Sequence, residues 1–334
     1  MRRLFPPRLL LIPVLVLGAL ILPTPSTVLA QSADATNGLE ISPVLVELNA
    51  ERGNTYTVSV KVRNVTTSNL FFDTSVNDFG AKDETGSPSI LLDDSAEPLA
   101  TSIKSWVRSI PSFSLAPNQA ETIKATISVP DNAEPGGHYG VIRFAGHENE
   151  SDRGNVGLVA SAGTLILVSV KGDAKEWLVL DSFEATDKNG RAGLAFESGP
   201  ITFVSRFKNA GNVHVKPIGQ IEVKDGFGNS VATLPVNEAK GNVLPDSTRR
   251  FESSLDKSWM FGHYTADISI AYGNTGQAIV RTLSFWVIPW KIILAALLII
   301  GTLIYVLRIS VKRYNAHIIA KDRASNRKTA KKRK

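Results

Sequence analysis

The chain has 334 residues, a formal net charge of +6, five histidines and no cysteine. The missing cysteines exclude a disulfide framework, a thiol nucleophile, a thiolate metal site and a lipid-modified cysteine anchor. The basic balance suggests nucleic acid until the charges are placed along the chain, and their placement removes that reading.

The first thirty residues, "MRRLFPPRLLLIPVLVLGALILPTPSTVLA", carry Arg2, Arg3 and Arg8, then an apolar stretch from Leu9 to Leu22. Small residues follow at Val28 and Ala30. This is the layout of a secretory signal peptide cleaved between Ala30 and Gln31, so residues 1–30 are expected to be removed on export. The ectodomain, residues 31–286, then reads as β throughout. "TYTVSVKVRN" (55–64), "ETIKATISVP" (121–130), "HYGVIRFAG" (138–146) and "GTLILVSVKG" (163–172) alternate apolar and polar residues. The same habit returns in 200–209, 219–226, 264–273 and 277–287. Short alternating strands punctuated by Gly, Pro, Asn and Asp predict antiparallel sandwiches, with hairpin turns at "DKNG" (187–190) and "DGFGN" (225–229). A short helix is expected only over "SIKSWVRSI" (102–110).

The two halves repeat each other in order. Each has a strand ending in asparagine (Asn64, Asn209), a Leu-x-Pro segment or its near relative, and then Gly-His-Tyr (137–139, 262–264). A duplicated immunoglobulin-like unit accounts for this, with sandwiches over 31–172 and 173–286. In such sandwiches a tyrosine opening a late strand turns its hydroxyl back onto the preceding corner, so Tyr139 and Tyr264 are expected to be structural tyrosine corners. Their neighbours His138 and His263 would then face the opposite side, half-exposed.

"FWVIPWKIILAALLIIGTLIYVLR" provides about twenty apolar residues, 287–307, enough to cross roughly 30 Å of hydrocarbon. Trp286, Trp290 and Lys291 fit an outer interfacial belt. Residues 308–334 hold eleven Lys and Arg against one acid, Asp322. The positive-inside rule puts this tail in the cytoplasm and the sandwiches outside. Setting aside the tail, Lys291 and the three signal arginines, residues 31–290 carry −8. The ectodomain is acidic, and no nucleic-acid partner is expected.

Chemistry is sparse. There is no His-Glu-x-x-His motif, "DDSAE" (93–97) lacks the spacing of a calcium loop, and Ser161 has no nucleophile-elbow context. The chain reads as a non-enzyme with no metal and no cofactor. Asn64-Val-Thr66 and Asn149-Glu-Ser151 match the glycosylation pattern. Trp106, in "SIKSWVRSIPSFSL", is either core packing or a stacking platform for sugar. With His138 and Arg143 it forms the set of candidate ligand contacts. Trp177 has the position to pack the joint between the two sandwiches.

"GLEISPVLVELNAERGNTYTVSVKVRN" and "SIKSWVRSIPSFSLAPNQAETIKATISVPDNAEPGGHYGVIRF" together resemble the peptidoglycan-binding domain of WxL-interacting surface proteins, over about residues 38–172. The resemblance rests on a Ser-x-x-x-Trp segment, a Leu-x-Pro turn and a Pro-Gly-Gly-x-Tyr corner in the right order. It implies a membrane-anchored protein of the cell surface whose first sandwich binds peptidoglycan and whose second engages another surface protein or a host molecule. The alternative is a scaffold that binds another surface protein through a sheet edge or surface contacts. Exposed aromatics such as Trp106 discriminate the two, since glycan binding needs them and edge pairing does not.

Overall fold

A computed structural model describes residues 38–92, 97–148 and 158–331. The segment expected to be a signal peptide, with Ala30 and Gln31, most of the acidic turn at 93–97 and the sequon at Asn149 lie outside the described residues. The first sandwich contains β1 (Leu39–Ser42), β2 (Leu45–Ala50), β3 (Thr55–Asn64), β4 (Leu70–Ala81), β5 (Pro88–Leu91), β6 (Phe113–Leu115), β7 (Ala120–Ser128), β8 (Gly136–His147) and β9 (Leu158–Val170). The second contains β10 (Leu178–Thr186), β11 (Ala195–Phe196), β12 (Ile201–Asn209), β13 (Ile218–Asp225), β14 (Ser230–Val236), β15 (Thr248–Leu255), β16 (Gly262–Tyr272) and β17 (Gln277–Val287). A helix, α1 (Trp290–Lys331), follows.

The repeat is complete at the level of topology. One sheet of the first sandwich runs β1-β3-β7, and one sheet of the second runs β10-β12-β15. The facing sheets run β2-β9-β8-β4-β5 and β11-β17-β16-β13-β14. Even the unusual feature is duplicated: β2 pairs parallel with β9, and β11 parallel with β17, while the other ladders are antiparallel. Among the described strands, only β6, on the side of β4, has no counterpart.

Alternation builds each core. In β3, Val58, Val60 and Val62 are buried while Ser59, Lys61 and Arg63 face water. They meet Ile123, Ala125 and Ile127 of β7 and, across the sandwich, Ile142 and Phe144 of β8 and Ile166, Val168 and Val170 of β9. The second core is aromatic, with Phe203 and Phe285 at 5.7 Å and Phe207 and Phe251 at 6.0 Å. The asparagines that close β3 and β12 are the same device used twice. Asn64 Nδ2 donates to the carbonyls of Ser68 (2.8 Å) and Leu115 (3.0 Å). Asn209 Nδ2 donates to those of Val213 (2.8 Å) and Val243 (2.9 Å). Each side-chain oxygen accepts a backbone N–H two residues on, from Thr66 and from Gly211, at 2.9 Å. A buried amide that meets its capacity in this way ties a strand end to two loops. Asn64 is fully buried with its amide hydrogen-bonded, so the folded sandwich leaves no room for a glycan on it.

Two expectations are corrected. Over 102–110 the chain forms a single 3₁₀ turn, Lys104–Trp106, and no longer helix. The apolar run does not become helical at Val287, which is the buried last residue of β17. Pro289 cannot donate to a ladder and suits a helix start, and its carbonyl accepts the N–H groups of Ile292 and Ile293 at 3.0 and 3.1 Å. By length and composition, Trp290–Ala316 is a candidate membrane span of 27 residues.

Candidate functional site

The Gly-His-Tyr repeat plays different roles in its two copies. In the second, Tyr264 points inward, stacked on Phe285 at 5.6 Å. Its hydroxyl lies 3.3 Å from the Phe261 N–H and 3.4 Å from the Phe261 carbonyl, the expected tyrosine corner. His263 faces outward against Trp286, ring to ring at 5.0 Å. In the first copy the faces are exchanged. His138 sits opposite Val168 in the ladder and is only 5% exposed, its ring 4.4 Å from Trp106. Tyr139 sits opposite Leu167 on the outer face of the sheet, among Phe79, Val141 and Leu165. Neighbours in a strand alternate, so a one-residue offset between the sequence repeat and the structural repeat swaps every side chain.

Tyr139 is therefore not a corner of its own sandwich. Its hydroxyl accepts the His214 N–H at 2.9 Å and lies 3.4 Å from His214 Nδ1, both in the second sandwich. The glycines ahead of it serve this joint. Gly136 has φ +124°, and a side chain there would lie 2.7 Å from the Asn212 carbonyl. A Cβ on Gly137 would lie 1.9 Å from the Tyr139 hydroxyl, and the Gly137 N–H donates to the Asn212 carbonyl at 2.8 Å. Glycine permits that backbone approach.

Five further contacts complete the joint. Asn212 Nδ2 donates to the Pro135 carbonyl at 3.2 Å. Glu47 of β2 accepts from Asn242 Nδ2 at 2.6 Å and pairs with Lys216 at 3.0 Å. The hairpin between β4 and β5 reaches the free edge of β15, where the Glu84 carbonyl accepts the Arg250 N–H at 2.7 Å and the Glu84 carboxylate pairs with Arg206 at 2.9 Å. Burial works to raise the pKa of Glu47, but the bonds from Asn242 and Lys216 outweigh it and hold the carboxyl below its ordinary value. Desolvation pushes His214 down to about 4, with Glu47 opposing and Lys216 assisting, so the ring is neutral at pH 7. Desolvation also pushes the Tyr139 phenol well above its usual range, against the bond from His214, and it remains a hydroxyl.

Beside this joint lies a cleft of about 220 Å³. Leu45, Phe79, Leu165 and Leu167 of the first sandwich form its apolar floor, and Leu244 and Arg249 stand on the opposite wall. Arg249 donates from Nη1 to the Asn242 carbonyl at 2.7 Å, while its buried Nε meets no acceptor. Its guanidinium fills a slot beside Gly86 and Gly241, where added side chains would come within 2.2 and 2.5 Å of it.

The predicted ligand contacts are not gathered into a site. Trp106 is 7% exposed and belongs to the first core, which corrects its reading as a sugar platform. Its segment is short and bridges β7 through the pairing of Val107 with Ile127, drawing the indole under the sheet. His138 is buried rather than half-exposed, and its Nε2 contacts the Glu134 carbonyl at 2.9 Å. Desolvation lowers its pKa despite that bond. Arg143 lies on the other face, its Nε 3.3 Å from both Ser75 Oγ and Asn77 Oδ1. Trp177 is mostly exposed instead of packing the joint. Trp286 near the end of β17 and Trp290 at the start of α1 are half-exposed, and Lys291 pairs with Glu197 at 2.8 Å. Among the described residues no group of three or more His, Asp or Glu side chains could hold a metal ion. The residues of the joint and cleft carried no sequence signal beyond a lone histidine in "NVHVKP" and the paired glycines of "PGGHY".

No family model matches the chain, and no curated protein does. Among solved structures it is similar to a chaperone–tip adhesin complex of CFA/I fimbriae biogenesis, at 13% identity and a TM-score of 0.36, over 73% of this chain and 97% of that one. It is also similar to the class 5 fimbriae chaperone CfaA, at 12% identity and 0.35, over 73% and 98%. A third is the CsuC–CsuE chaperone–tip adhesion subunit complex of Acinetobacter baumannii, at 14% and 0.32, over 73% and 97%. Likenesses this distant carry no inference about what this chain binds.

Proposed function

We propose that the chain is a non-enzymatic, membrane-tethered surface protein that binds a protein partner along the β5 side of its first sandwich. One observation carries this reading. Every described aromatic side chain of the first sandwich is buried or half-buried, and its exposed large apolar residues are all aliphatic: Val44, Leu45, Ile90, Leu91, Leu92 and Leu99. Four of these lie on β5 or in the segment that follows it. β5 is the last strand of its sheet, so the backbone groups on its outer side can pair with an incoming strand. An aliphatic edge suits a peptide backbone and its side chains, whereas peptidoglycan, implied by the resemblance to WxL-interacting proteins, would have to be held without a stacking ring. The apolar span in α1 and the basic residues beyond it support a tether with the sandwiches outside and the tail in the cytoplasm.

The test uses the full chain in detergent, carrying a photo-crosslinking phenylalanine analogue at position 92 or, as a control, at exposed Lys61 on the opposite sheet. Crosslinks to a defined envelope protein from position 92, absent from position 61 and abolished by Ile90→Lys, are expected. Saturable co-sedimentation with protein-free peptidoglycan sacculi, unchanged by Ile90→Lys and Leu92→Lys, would overturn the proposal in favour of wall binding.

A further inference from the structure

The second sandwich meets the first at one end, through the loops that hold Asn212, His214 and Asn242. Its opposite end is where α1 begins, and strand register shows what is gathered there. Val287, the last residue of β17, pairs with Gly262 and Phe196, and Trp286 pairs with His263 and Ala195. Two strands further on, Asp225 at the end of β13 pairs with Tyr264, which sets the β13–β14 turn at the same end. Leu255, last in β15, pairs with Ile201, so the segment 256–261 also leaves the sandwich here. These turns carry the most exposed aromatic rings of the described ectodomain: Phe227 at 94%, Trp259 at 72% and Phe261 at 68%. Rings of this size are ordinarily the part of a fold that is hidden, and a cluster left bare marks an interaction surface.

Only Ile288 and Pro289 separate β17 from α1. Two residues reach about 7 Å at full extension. This connection is also fixed in place, since the Trp286 and Ile288 N–H groups donate to the carbonyls of Leu194 and Phe196 at 2.8 Å, and Lys291 in the first turn of α1 pairs with Glu197. A bilayer adds roughly 5–7 Å of headgroup on each side of its hydrocarbon core. A sandwich held within about 7 Å of a spanning helix cannot stand clear of that layer. Aromatic side chains with an apolar body, and at Trp259 a polar N–H, are the ones that settle there.

We propose that the helix-proximal end of the second sandwich is seated on the lipid surface, with Phe227, Trp259 and Phe261 immersed in the headgroup region beside Trp286 and Trp290. The proposal rests on the reading of α1 as a membrane span. Lys257, exposed in the same segment as Trp259, stands where it can meet lipid phosphates. Seating by two separate turns and the start of α1 fixes the tilt of the sandwich, and through the joint at Tyr139 it aims the first sandwich away from the membrane.

The chain contains no cysteine, so single cysteines report cleanly. Full-length protein carrying Phe227→Cys, Trp259→Cys or Phe261→Cys, each bearing a nitroxide, is reconstituted in nanodiscs of phosphatidylcholine and phosphatidylglycerol. Collision with oxygen and with a nickel chelate then gives the depth of each label. Leu298→Cys in α1 and Thr57→Cys on the first sandwich provide the deep and aqueous references. The expected result is a deep label at 298, an aqueous one at 57, and the three turn positions shielded from nickel at interfacial depth. A deep label at 298 with turn positions as open to nickel as position 57 would overturn the seating while leaving the membrane span intact. A label at 298 open to nickel would overturn the span and the seating together.

Discussion

Replacing Tyr139 by phenylalanine separates the two roles that one motif plays. The hydroxyl accepts the His214 N–H at 2.9 Å across the joint, and without it that donor is left in a setting where neighbouring burial has already pushed the His214 ring to about 4. The bond is half-buried, so stranding its donor costs toward the low end of about 1–3 kcal/mol. Tyr264→Phe removes only contacts of 3.3 and 3.4 Å to one residue of its own corner, for which about 0.5–1 kcal/mol is expected. A loss of about 1.4 kcal/mol is tenfold in an opening equilibrium, so Tyr139→Phe should speed amide exchange over residues 210–216 about five- to tenfold. The core strands β3 and β8 should keep their protection, because local opening of a joint leaves the sandwich cores folded. Hydrogen exchange read by mass spectrometry on the full chain resolves these segments. Unchanged exchange at 210–216, together with faster exchange throughout the first sandwich, would refute the joint and restore Tyr139 as an internal corner post.

Two further outcomes follow from the same geometry. His214 has a folded pKa near 4 against an ordinary 6.5; protonation therefore favours the unfolded or undocked state, and stability should be unaffected above about pH 6.5 and fall as pH drops from 6.5 toward 4. At most about 3 kcal/mol is at stake; chemical denaturation at stepped pH measures it, and His214→Gln should flatten the slope. Trp106→Ala should destabilise the first sandwich by about 3–5 kcal/mol through the cavity it leaves, seen as a lowered melting transition. A variant that melts normally would return Trp106 to the surface.

The strands were legible where alternation is clean. β3, with valines at 58, 60 and 62, and β17 match their predicted limits to the residue. β4 was not legible, because its pattern mixes Phe71, Phe72, Asn77 and Asp78 on both faces. Asp78 accepts from Ser102 and Leu99, and outer-face residues such as Phe79 are covered in the cleft between the sandwiches. A strand covered on both sides carries no two-residue period to read.

The sequence by itself determined the all-β class, the duplication and the apolar span, because each is written in local period, order or composition. The sidedness of His138 and Tyr139, the burial of Trp106, and the gathering of Phe227, Trp259 and Phe261 beside α1 were decided only by tertiary structure. Each depends on strand register and on which turns share an end of the sandwich. Those are relations between residues tens of positions apart, and no local spacing encodes them.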